Sequence, residues 1–120
     1  MRKLILTLSL LITASSYAAS GYTFYYMSEC SSGIEEKYGE YCAAIITDVF
    51  YMNDCSPSQY DGCSQQDLKD EYGDGLFIDT PSASYPESSK SEAKRERRKR
   101  INKWKNSSFK DYYIKQVNWN

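Results

Sequence analysis

The chain of 120 residues has a formal net charge of −1, is 41% hydrophobic, and holds four cysteines, twelve tyrosines and no histidine. That length allows one small domain and little more. The missing histidine removes the usual near-neutral acid–base group, and an even cysteine count points to disulfides rather than to zinc or nucleophile chemistry.

The first element is a leader. Arg2 and Lys3 precede an apolar run over residues 4–12, and Ser16, Tyr17 and Ala18 make a small-x-small exit. The run is shorter than the roughly 20 residues needed to cross a bilayer, so residues 1–18 read as a secretory signal peptide cleaved after Ala18 or Ala19. The mature protein is expected in the periplasm or outside the cell, where Cys30, Cys42, Cys55 and Cys63 would oxidise.

Residues 21–27 (GYTFYYM) are aromatic and rich in β-formers, a short strand or a plug on the core. Residues 32–52 read as one helix. Ser32 and Glu35 have capping-box spacing, and Ile34, Tyr38, Tyr41, Cys42, Ile45, Val49 and Phe50 recur at helical intervals, with Gly39 as a kink or the true start. Residues 55–63 form a loop punctuated by Pro57 and Gly62. Ser64 and Asp67 then open a shorter helix that Gly73 would stop in a left-handed conformation. Leu76, Phe77 and Ile78 make an apolar patch. Residues 82–91 read as a Ser/Pro-rich linker, residues 91–105 as a third helix with an apolar stripe of Ala93, Ile101 and Trp104, and residues 109–119 as an aromatic tail. The expected fold is mainly α, a single disulfide-stapled domain of about three helices, or α+β if the tail pairs with residues 21–27. Its parts are an acidic helical core over 19–81, the linker, and a basic C-terminal part over 92–120.

A rod over residues 33–52 would be about 30 Å long, which separates Cys30 from Cys55 too far for a bridge. Two pairings remain: Cys30–Cys42 with Cys55–Cys63, which is preferred for its easy local loop, or Cys30–Cys63 with Cys42–Cys55.

Charge is divided along the chain. Residues 20–88 carry thirteen acids against Lys37 and Lys69, and residues 89–120 carry eleven bases against three acids. Either the halves neutralise one another in one fold, or one of them docks a charged partner. The basic run suits an acidic protein, a membrane surface or another polyanion, and export argues against genomic DNA. No nucleophile motif stands out, so no enzyme and no cofactor is expected. Residues 70–81 approach a calcium loop, but Tyr72 fails at the third position and Pro81 replaces the bidentate glutamate at the twelfth, so no metal is expected. Partner contacts are placed at Tyr60 and Asp61 in the cysteine loop and at Arg95, Arg97, Arg98, Lys99, Arg100 and Trp104 on the basic helix.

The leader, Cys30 a dozen residues before the pair Tyr41-Cys42, the run Tyr41-Cys42-Ala43-Ala44-Ile45-Ile46 and the stretch Cys63-Ser64-Gln65-Gln66-Asp67-Leu68 resemble the Tai family of periplasmic immunity proteins. That family neutralises peptidoglycan amidases delivered by type VI secretion. The resemblance spans residues 30–68 and implies a largely helical, disulfide-bonded protein that plugs an enzyme cleft. The family favours Gly-Tyr-Ile where this chain has Ala44-Ile45-Ile46, and a small residue where it has Asp48. A second likeness, through the leader, an acidic helix and the Asn53-Asp54-Cys55 loop, is to phage periplasmic antiholins. The expected function is inhibition of, or immunity against, a cell-wall-degrading enzyme. The alternatives are lysis control and surface binding through the cationic helix.

Overall fold

The computed structural model describes residues 20–52 and 65–119. Tyr60, Asp61, Cys55, Cys63 and the leader lie outside the described residues. The described part holds six strands and three helices. In chain order these are β1 (Gly21–Thr23), β2 (Tyr25–Cys30), α1 (Ser32–Tyr38), β3 (Cys42–Thr47), β4 (Phe50–Met52), α2 (Gln66–Tyr72), β5 (Ser82–Ala83), α3 (Lys90–Lys105) and β6 (Tyr112–Val117).

The fold is therefore α+β, and the mainly helical expectation is overturned. The long helix over residues 32–52 is three elements instead. Its first turn is capped, with Ser31 rather than Ser32 accepting the Ile34 N–H at 3.1 Å. It ends at Gly39, whose left-handed φ of 87° an L side chain adopts only with strain. The chain then turns back as β3, antiparallel to β2, with Cys30 opposite Cys42. Ser31 N–H donates to Tyr41 O at 3.0 Å, so the neighbouring Cys30/Cys42 pair is a close, non-hydrogen-bonded one, and the two form a disulfide. This pairing rules out Cys30–Cys63 with Cys42–Cys55. Of the two pairings the sequence left open, the Cys30–Cys42 bridge of the preferred one is present, and strand register rather than a helix doubling back joins the two cysteines.

The main sheet has the order β5-β2-β3-β6, with β3 and β6 parallel and the other neighbours antiparallel. The aromatic tail thus pairs with β3, not with residues 21–27. Every residue of β3 is buried because both sheet faces are covered. On one face Ala43 and Ile45 pack with Ile34 of α1, Leu68 of α2 and Phe77. On the other, Ala44 and Ile46 pack with Phe24 and with Ile101 and Trp104 of α3. The result is three layers: α1 and α2, the sheet, then α3.

Beyond β2 and β3 the same ribbon continues as β1 and β4, but the register steps. Thr23 faces Phe50 and Tyr26 faces Ile46, so Phe24 and Tyr25 oppose the three residues from Thr47 to Val49. This one-residue bulge bends the ribbon at Asp48 and Val49. Thr47 is fully buried and satisfied. Its Oγ1 accepts from Tyr25 N–H at 2.9 Å and donates to Asp48 O at 2.9 Å.

Segment 82–91 is stitched to the sheet rather than free of it. Ser82–Ala83 pair with β2, and Tyr22 and Glu87 exchange two backbone hydrogen bonds at 2.8 Å. Gly73 does cap α2, but with right-handed dihedrals. The positive φ values fall on Asp74 and Gly75. The residues of the calcium-like stretch are otherwise engaged, Asp70 with Gln66 and Asp74 with Lys37.

Burial, reinforced by the Asp67 carboxylate, holds the Tyr25 phenol above its ordinary value of 10.0. The folded state then keeps a proton that the unfolded chain loses. Stability from this group is complete below that value and falls as pH rises above it. Tyr25→Phe should move the onset of alkaline unfolding to higher pH in a circular-dichroism titration. An unchanged onset would exclude Tyr25 as its source.

Candidate functional site

Helix α3 holds the densest charge. Its start is fixed by Ser89, whose Oγ accepts the Glu92 N–H at 3.2 Å. Ala93, Ile101 and Trp104 turn onto the sheet and are buried. Two of the predicted contact residues turn inward with them. Arg97 Nε donates to Thr47 O at 2.7 Å and its Nη2 to Gln116 Oε1 at 3.0 Å. Arg100 lies over the Tyr26 ring, 4.4 Å from its centroid, and its Nη2 donates to the Tyr26 hydroxyl at 3.2 Å. Arg97, Arg100 and Trp104 therefore fasten α3 to the sheet and are not a free docking surface. Burial pulls the Arg97 guanidinium below its ordinary value, and the Asp48 carboxylate works against that shift.

The remaining cations face solvent in two rows, Lys90, Lys94, Arg98 and Lys105 beside Arg95, Lys99 and Lys103. Of the predicted contacts, Arg95, Arg98 and Lys99 are thus exposed together on one surface. Helical spacing stacks like charges at Lys94/Arg98, Arg95/Lys99 and Lys99/Lys103, each costing about 0.2–0.5 kcal/mol of helix stability. Against this, among the described residues, α3 has one exposed ion pair, Lys99 with Glu96 at 3.2 Å. Acidic residues of the N-terminal half, such as Glu35, Glu36, Asp67 and Asp70, sit on α1 and α2 across the sheet. Among the described residues no ion pair joins those acids to α3. Their layer contains its own pair, Lys37 with Asp74, and the hydrogen bond from Lys37 draws the Asp74 carboxyl below its ordinary value. The acids of α1 and α2 thus lie across the sheet from α3, while Asp48 and Glu87 lie on its side, beside Arg97 and Arg100.

Beside α3, at the carboxyl ends of the parallel strands β3 and β6, lies a crevice of about 330 Å³. Asp48, Lys94, Arg97, Arg98, Gln116 and Asn118 line it together with Val49 and Val117. Lys94, Asp48, Gln116 and Asn118 were not singled out by the sequence analysis. The available signal was the Lys94/Arg98 spacing, which places both on one side of a helix. A second depression of about 200 Å³ involves Tyr26, Tyr85, Glu87, Glu96 and Arg100. On the far face, Tyr38 stacks on Tyr113 at 4.8 Å, and Lys115 sits over Tyr72 at 5.4 Å. Among the described residues no group of three His, Cys, Asp or Glu side chains comes together to hold a metal ion, and no helix is long and apolar enough to cross a membrane.

Comparison with known proteins finds no matching family model, no matching curated protein and no matching solved structure. The stretch carrying the likeness to the Tai family contains β3 where that likeness implied a helix.

Proposed function

We propose that this is an exported protein that acts by binding, docking the outer face of α3 on an acidic protein surface. The partner is a cell-wall-degrading enzyme, which the protein inhibits. The observation that carries this reading is the un-neutralised cationic face. Its like-charge stacking weakens the helix, and among the described residues the one ion pair that α3 makes is Lys99 with Glu96, within the helix itself. The leader, the Cys30–Cys42 disulfide and the periplasmic resemblance support the compartment. A lysis inhibitor of the antiholin kind would use the same face against a lysis enzyme. Insertion into a membrane interface is the weaker reading, because an interfacial helix needs its apolar stripe exposed and Ile101 and Trp104 are packed on the sheet.

The test is titration of the purified protein into peptidoglycan digestion by an amidase and by a muramidase. Inhibition is expected for one of them, weakening as salt is raised. The triple substitution Arg95→Gln, Lys99→Gln, Lys103→Gln should weaken it about tenfold, at roughly 0.5 kcal/mol per exposed charge pair. Neither enzyme responding, or the triple variant inhibiting as well as the parent, would overturn the proposal.

A further inference from the structure

The geometry points to a small-molecule site in the crevice at the carboxyl ends of β3 and β6. We propose that it binds a phosphate monoester of a small polyol, with the phosphoryl group held by Lys94, Arg97 and Arg98.

Charge selects the ligand class. Three cations line the crevice against one carboxylate, Asp48, whose Oδ1 accepts the Trp119 backbone N–H at 2.8 Å. The surplus of two positive charges matches a phosphate monoester, which is close to dianionic at neutral pH because its second pKa is about 6. A lone carboxylate would neutralise only half of it.

Geometry is prepared in advance. The Arg97 guanidinium is fixed by Thr47 O and Gln116 Oε1, which leaves its remaining N–H groups to a ligand without the entropy of ordering a free side chain. Lys94 and Arg98, one helical turn apart on the same side of α3, flank it. The bulge at Asp48 and Val49 bends the ribbon away at this point, and bulges recur beside binding sites because they re-aim side chains. The floor is where the parallel strands end, and the Asp48, Gln116 and Asn118 side chains converge there.

Size and lining select the rest of the ligand. A volume of about 330 Å³ is several times that of a bare phosphate and at the low end for small-molecule sites. The Gln116 amide nitrogen, which its bond to Arg97 does not use, and the Asn118 side chain suit hydroxyl groups. Val49 and Val117 suit a short carbon skeleton.

This site does not depend on the docking reading, because Arg95, Lys99 and Lys103 lie outside the crevice. Glycerol 3-phosphate titrated into ¹⁵N-labelled protein should shift the Gln116, Asn118 and Arg97 resonances saturably, with a Kd of about 1 mM. Sodium chloride at equal ionic strength should not reproduce those shifts. Lys94→Gln with Arg98→Gln should weaken binding about tenfold or more, while Arg95→Gln, Lys99→Gln, Lys103→Gln should leave it unchanged. A second arm uses phosphatidylcholine vesicles carrying phosphatidic acid, a monoester, or phosphatidylglycerol, a diester, at matched surface charge. Saturable binding of the soluble ester identifies a free ligand. Preference for phosphatidic acid without soluble binding places the same phosphate on a lipid headgroup, and that preference should vanish in the Lys94/Arg98 variant. Shifts equal to those from chloride, or no soluble binding together with equal affinity for both lipids, would overturn the site and leave the docking proposal standing.

Discussion

Trp104→Ala should lower the unfolding free energy by about 3–5 kcal/mol, as expected for emptying the place of a large buried aromatic side chain. Trp104 is 7% exposed, lies 6.1 Å from the Tyr26 ring and 6.4 Å from the Tyr112 ring, and packs with Phe24, Ala44, Ile46 and Ile101. It is the largest contribution α3 makes to that face of the sheet. A domain of this size has about 5–15 kcal/mol in all, so the variant should sit near the edge of folding. Urea unfolding checks this through the midpoint at constant slope. Arg95→Gln, Lys99→Gln and Lys103→Gln should each move the stability by less than about 0.5 kcal/mol, since nothing buried depends on them. The contrast matters for function. As a partner contact, Trp104 would lose binding and keep stability on substitution. As the anchor that positions the cationic face, it loses stability first. A variant as stable as the parent would contradict the packing that places that face.

Some of this was readable from the residues. The third helix is legible over residues 91–105 because Ala93, Ile101 and Trp104 repeat on one side, and the structure places α3 over Lys90–Lys105 with those three buried. Residues 39–52 misled for a physical reason. A strand buried on both faces has no polar alternation, so the run Cys42 to Ile46 matches a helical period as well as any other. The deciding signals were local: Gly39 suited a left-handed helix end, and the β-branched Ile45, Ile46 and Thr47 suited a strand. The crevice was less legible still. Asp48 and Val49 reach it through a bulge, and Gln116 and Asn118 through the parallel pairing of β6 with β3, a contact between residues some seventy positions apart. Nothing in short-range pattern encodes that. Arg97 and Arg100 looked like their exposed neighbours because a basic run carries no mark of which side chains bend inward to a carbonyl or an aromatic ring.

Cys30→Ala with Cys42→Ala should cost about 3 kcal/mol of stability, the loop-closure value for cysteines 12 residues apart. The double variant removes this bridge alone. The loss should not be uniform. The bridge closes the mouth of the β2–α1–β3 hairpin, and α1 is only seven residues long, too short to persist by its own propensity. What holds α1 is the bridge, the Ile34 side chain in the core, the Tyr38 ring stacked on Tyr113 and the exposed Lys37–Asp74 pair. β3, in contrast, is flanked by β2 and β6 and buried on both faces. Opening the bridge should therefore raise hydrogen exchange first at Ile34, Glu35 and Gly39, while amides of residues 43–47 stay protected until global unfolding. The cationic face is carried by the opposite layer and should keep its salt-dependent binding in the folded fraction. Equal loss of protection in α1 and β3 would mean that the two layers unfold as one unit, so that the disulfide supports α3 as well.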